Sequence, residues 1–166
     1  MSKIQKIVIT SLATILVILI ASILILAGKK KEPIVGDFEA PAFDPQATVG
    51  VPENLDESLN FQMFSVEDKM RVGMCGNLTL KEDSTVDIYF TSDASNTFWA
   101  KVRLLDVDGN VLGESGLIKA GEYVKVVHID NPPKASTSVI AKILTYEENT
   151  YYSKGSVAAQ VIMNVE

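Results

Sequence analysis

The sequence predicts an all-β domain carried behind one membrane-spanning segment. Three observations carry that prediction. Ile7 to Gly28 runs for 22 residues without a charge, and a helix rising about 1.5 Å per residue needs about that length to cross a hydrocarbon core. From Phe61 onward no amphipathic helix is found, and β-branched runs punctuated by Gly, Asp and Asn recur instead. Several of these runs alternate apolar with polar residues, the pattern of strands with one buried and one wet face.

The apolar run is read as an uncleaved anchor, residues 7–28, behind a short tail, residues 1–6. It is longer than the h-region of a signal peptide, and in Ile25-Leu26-Ala27 the bulky Ile25 stands where an A-x-A-like cleavage site wants a small residue. Lys3 and Lys6 flank one end and Lys29, Lys30 and Lys31 the other, so the positive-inside rule is nearly balanced. The remainder tips the reading outward. Residues 32–166 carry 10 basic and 21 acidic side chains, a net of −11. The expected location is the cell membrane, single-pass, with the C-terminal domain extracytoplasmic. No ionisable residue lies inside the run, which excludes an ion path through this helix alone.

Residues 29–60 read as a stalk. From Glu32 to Asn60 there are four prolines, Pro33, Pro41, Pro45 and Pro52, and no lysine or arginine. Proline fixes φ and removes a donor, so an extended acidic spacer is expected. Phe38, Phe43, Val49 and Val51 support a second reading, an arm that docks along the domain or on a partner. Leu55 and Leu59, four apart after Pro52, suggest one helical turn.

The domain is expected over residues 61–166, with strands at Lys69 to Cys75, Asn77 to Lys81, Thr85 to Thr91, Thr97 to Val107, Val111 to Ser115, Tyr123 to Ile129, Ser138 to Tyr146 and Ser156 to Val165. Phe98, Ala100, Val102 and Leu104 point one way and Trp99, Lys101 and Arg103 the other. Val86, Ile88 and Phe90 likewise oppose Asp87, Tyr89 and Thr91. The architecture implied is a packed pair of antiparallel sheets, an antiparallel β-sandwich of about seven or eight strands.

Two turns are more specific. Asp106-Val107-Asp108-Gly109-Asn110 opens like a calcium loop, but its twelfth position is Leu117 where a bidentate Glu is needed, so it is read as a hairpin turn. Leu117 to Tyr123 places a Leu six residues ahead of a Tyr, with Gly121 between and a strand after. This resembles the tyrosine corner of immunoglobulin-like and fibronectin type III domains, in which the Tyr hydroxyl locks a crossing between sheets. It departs from the fibronectin pattern at Ala120 and Gly121, where Pro and Gly would stand one place earlier. The resemblance implies an immunoglobulin-like β-sandwich with Leu117, Gly121 and Tyr123 as a structural corner. As an architecture, the chain resembles small single-pass surface proteins of Gram-positive bacteria with such an ectodomain. That likeness implies no ligand and no catalytic residue.

Chemistry is sparse. The one histidine, His128, lies in an expected strand on a face shared with Val124 and Val126, and is read as a packed or edge residue. One His and one Cys make no conventional zinc site. Cys75 is read as a small buried hydrophobe. No enzyme, cofactor or metal is expected, and the acidic balance disfavours nucleic acid. The sharpest candidate surface is aromatic and cationic: Trp99 and Tyr89 beside Lys101 and Arg103, with Tyr151 and Tyr152 in the last loop. Against it stands the inverted register, in which Trp99 belongs to the core.

The function expected is a non-enzymatic, membrane-anchored interaction or structural protein of a surface, secretion or appendage assembly, with a protein partner or a second copy bound at that surface. The alternatives are a module binding wall carbohydrate or another ligand and a cytoplasm-facing subunit of a membrane complex.

Overall fold

A computed structural model describes residues 39–66 and 70–165. The expected tail, the anchor at 7–28, Phe38 and Lys69 lie outside the described residues, and among those described no helix is long and apolar enough to cross a membrane. Ala40 to Glu166 forms one compact unit.

The fold is all-β. Among the described residues ten strands follow in chain order: β1 (Thr48–Val49), β2 (Phe61–Val66), β3 (Met70–Cys75), β4 (Asn77–Leu80), β5 (Thr85–Ser92), β6 (Trp99–Leu105), β7 (Val111–Glu114), β8 (Glu122–His128), β9 (Thr137–Tyr146) and β10 (Ser153–Val165). They join in one curled mixed sheet, ordered β1-β8-β5-β4-β10-β9-β6-β7, with β3 also on β5 and β2 outside β3. Two separate antiparallel sheets were the expectation. A single segment joins them: β3 pairs antiparallel with β5, the strand is interrupted at Gly76, and β4 then lies between β5, antiparallel at Leu80 and Val86, and the end of β10, to which it is parallel. Gly76 itself donates to the Asn60 carbonyl and accepts from the Ile162 amide, so it hands the segment from one neighbour to the next.

The eight expected strands are all present, with ends shifted by three residues at most. Two more were not expected. In β2 the exposure is irregular, with Gln62 and Met63 both facing out, so Phe61–Val66 lacks the period of two that reveals a strand. Strand β1 is only two residues long and sits between Pro45 and Pro52. The suspected turn near Leu55 and Leu59 is a single 3-10 turn at Glu57–Leu59. Asp56 caps it by accepting from the Ser58 amide, and Asn60 closes it at φ 50°.

Alternation places the core. Val86, Ile88 and Phe90 of β5, Ala100, Val102 and Leu104 of β6, and Val139, Ala141 and Ile143 of β9 are fully buried. A fully buried side chain of the larger of these types contributes about 1.5–3 kcal/mol, so this inner face dominates the stability. In β8 the alternation slips. Val124 and Val127 are buried while His128 faces out, because β5 and β8 shift register between Asp87 and Phe90. The face expected to unite Val124, Val126 and His128 is therefore broken by a bulge.

Polar pins complete the body. The buried Asn96 side chain donates to the Arg71 carbonyl and accepts from the Arg71 amide, acting as a strand partner for β3. At the β6–β7 turn, Asp106 accepts from the Asp108 and Asn110 amides and from the Asn110 side chain, with Gly109 at φ 87°. The Asn110 side chain, helped by these amides, holds the Asp106 carboxyl below its ordinary range. Among the described residues no group of three or more His, Cys, Asp or Glu side chains is arranged to hold a metal ion.

Candidate functional site

The segment expected as a stalk or docking arm lies, from Ala42 to Gly50, along the body. Its Ala42 carbonyl accepts from the Leu117 amide and its Asp44 amide donates to the Leu117 carbonyl. The Asp44 carboxylate accepts from the Gly116 amide at 2.9 Å and, with its other oxygen, from the Gln46 amide. Farther on, Thr48 pairs with Tyr123 and Val49 with Glu122, and the Gly50 amide reaches the Gly121 carbonyl. The prolines assist this docking. An arm already extended by Pro41 and Pro45 loses little conformational freedom when it settles.

Gly116 makes the close approach. A Cβ there would come within 2.5 Å of the Asp44 backbone, so only glycine lets the arm reach this strand edge. The residues read as a tyrosine corner line the same edge. Leu117 is fully buried, Gly121 stands at φ 78° with its amide on the Ser92 carbonyl, and Tyr123 is half-buried between Thr48 and Thr91.

The aromatic surface is brought together and then covered. Phe98 is buried and Trp99 is half-buried on the opposite face of β6, so the register is the one the alternation implies. Phe43 meets the Trp99 ring edge-on at 4.8 Å, and Tyr151 meets it at 5.0 Å. The ammonium of Lys119 lies 5.1 Å from the Phe43 ring centre. Tyr151 reaches this place from a tight turn in which the Tyr151 amide donates to the Glu147 carbonyl, and its neighbour Tyr152 is left 73% exposed.

The other candidates are distributed differently. Lys101 is 6% exposed and its ammonium donates to Glu114 at 2.6 Å; Arg103 donates to the other oxygen of the same carboxylate at 2.7 Å. Burial raises the affinity of Glu114 for its proton, but the hydrogen bonds from Lys101 and Arg103 outweigh it and hold the carboxyl below its ordinary range. These two cations are thus committed within the fold. Tyr89 stands at the β5 bulge with φ 48°, beneath the Lys125 ammonium at 5.5 Å, away from the Trp99 cluster as a contact. Val49 and Val51 are exposed, at 82% and 63%.

The signal for the arm was in the sequence as apolar residues in a proline-rich segment, but its target was not. Asp44 and Gly116, which fix it, carry no local pattern and meet only across the folded chain. No family model matches the chain, and no curated protein matches it in sequence.

Proposed function

We propose that the chain is a non-enzymatic, membrane-anchored, extracytoplasmic interaction or structural protein, a component of a cell-surface, secretion or appendage assembly. The observation that carries this reading is the uncharged run Ile7–Gly28, of membrane-spanning length, placed just ahead of a compact β-body. An immunoglobulin-like arrangement of that body is supported by strand order. β3-β5-β8 beside β10-β9-β6 follows the A-B-E and G-F-C orders of such sandwiches, with β7 added outside β6. Tyr123 is the second residue of β8, the E position in this order, so the likeness rests on topology and not on the corner motif.

Interaction is favoured over carbohydrate recognition by one contact set. A sugar stacks on an open aromatic face, and the Trp99 ring has Phe43 and Tyr151 packed against it. The test is digestion of intact, wall-stripped cells while a C-terminal tag is followed. Because the arm is docked from Ala42 onward, outside protease is expected to cut between residues 29 and 39 and to release the body whole. A tag protected until the membrane is permeabilised overturns the outward anchor in favour of a cytoplasm-facing subunit.

A further inference from the structure

Strand β10 is the longest in the fold, and no charged residue occurs in it after Lys154. One side pairs with β9 from Ser153 to Met163, whereas β4 joins the other side only over Ile162–Val165. The Ile162 amide donates to the Gly76 carbonyl, away from β9, and the β9 register is unbroken from Ser156 to Met163. Main-chain groups alternate sides along a strand, so Ser156, Ala158 and Gln160 turn their N–H and C=O groups the same way as Ile162. Among the described residues no strand pairs with them there, and all three side chains are exposed.

Strand β2 does not fill the gap. A cavity of about 430 Å³, lined by Phe64, Met74, Ala159, Val161 and Ile162, lies between it and this edge. Two other edges among the described residues, β1 and β7, are kept short. β1 has two residues, and β7 has four and ends on Glu114; the outer strand β2 is uncharged, with the Phe61 and Met63 side chains turned over Gly73 of β3. An uncharged edge without proline is one that folded proteins cover.

We propose that this edge is covered by the same edge of a second copy, in an antiparallel pair centred on Ala158. The proposal rests on reading the chain as an interaction protein and names the partner. The free positions are symmetric about Ala158: Ser156 falls opposite the partner subunit's Gln160, Ala158 opposite its own counterpart, and Gln160 opposite the partner subunit's Ser156. All three free residues on each copy are then used, for about six main-chain hydrogen bonds. The facing side chains are neutral, so two domains of like charge meet where neither carries any. Such an isologous contact closes on itself as a dimer.

The test uses the full chain in its membrane. Opposed residues of a hydrogen-bonded antiparallel pair have Cα atoms about 5.5 Å apart, within disulfide range. Ala158→Cys, oxidised with a membrane-permeant catalyst, is expected to convert most of the chain into a reducible dimer. Val111→Cys on the exposed start of β7 is expected to stay monomeric, and the native Cys75 is buried. Equal crosslinking at both positions, or none at Ala158→Cys, overturns the proposal. A charge exchange gives a second reading in detergent. Ser156→Lys with Gln160→Lys sets like charges opposite each other and should leave a monomer, while Ser156→Lys with Gln160→Glu should restore the dimer. The same oligomeric size for both pairs also overturns it. Because the oxidant crosses the membrane, crosslinking is independent of sidedness: a tag protected from outside protease together with a dimer overturns the anchor's direction alone, and a released body without crosslinking overturns the edge alone.

Discussion

Phe43 meets Trp99 edge-on, with ring centroids 4.8 Å apart and planes inclined by 75°. Aromatic pairs in this geometry add about 0.5–1.5 kcal/mol to the burial itself. The contact joins a proline-rich segment to β6, and it sets the first prediction. Phe43→Ala should free the arm, shift Trp99 emission to longer wavelength and cost about 1–2 kcal/mol, less than a fully buried Phe because Phe43 is 37% exposed. Unchanged emission would show that the arm is held without the ring.

Gly116→Ala tests the same arm from the other side. The new Cβ would strike the Asp44 backbone, which no rotamer change relieves. The expected outcome is the same emission shift as for Phe43→Ala, and a double substitution little worse than either alone, since each removes the same docked segment. Additive losses in denaturant titration would mean that the two residues act independently.

The Lys101–Glu114–Arg103 cluster predicts an acid dependence. Glu114 has a lowered carboxyl pKa in the fold, so it contributes stability above the unfolded value of about 4.3. That contribution is lost as pH falls through the folded value. Glu114→Gln should flatten this part of the acid-unfolding curve, and at neutral pH should cost about 1–2 kcal/mol by leaving buried Lys101 without its counter-charge. A parallel acid curve for the variant would remove Glu114 from the account.

Asn96 offers a test of the body away from the arm. Its side chain satisfies both main-chain groups of Arg71 and also reaches the Ser92 hydroxyl. Asn96→Ala should cost about 2–3 kcal/mol, the desolvation left on unpaired polar groups, and should raise hydrogen exchange at Arg71. Protection unchanged at that amide would contradict the pairing.

Cys75 is fully buried and its thiol is pushed up to about 12, chiefly by that burial and then by Asp87. It should resist alkylation at neutral pH until the domain unfolds, so labelling rate would track global stability. Rapid labelling of the folded chain would contradict the burial.

Much of this fold is legible residue by residue. The alternation of Phe98 to Leu104 against Trp99 to Arg103 reports a strand with one buried face, and Phe98, Ala100, Val102 and Leu104 are buried as it implies, while on the other face Lys101 is buried too, paired with Glu114. What escapes is whatever lacks a period. Phe61–Val66 exposes two successive residues, and Thr48–Val49 is held by main-chain bonds to Glu122 and Tyr123 that no local pattern encodes. The candidate surface divides in the same way. Side-chain chemistry singles out Trp99 and Tyr151 as companions of a solvent face, but only the fold shows that Phe43 and Tyr151 both pack on the Trp99 ring and that Glu114 claims Lys101 and Arg103.

The arm also orders events in time. Asp44 and Gly116 are 72 residues apart, and the edge that receives the arm exists only once β6, β7 and β8 have assembled. Closing a loop of that length costs entropy before any contact returns it. The first segment of the body to leave the ribosome is therefore expected to settle late, and Trp99, the chain's single tryptophan, packs against it. If so, Trp99 emission should change more slowly in refolding than far-UV circular dichroism of the β-core, a lag that Phe43→Ala should abolish.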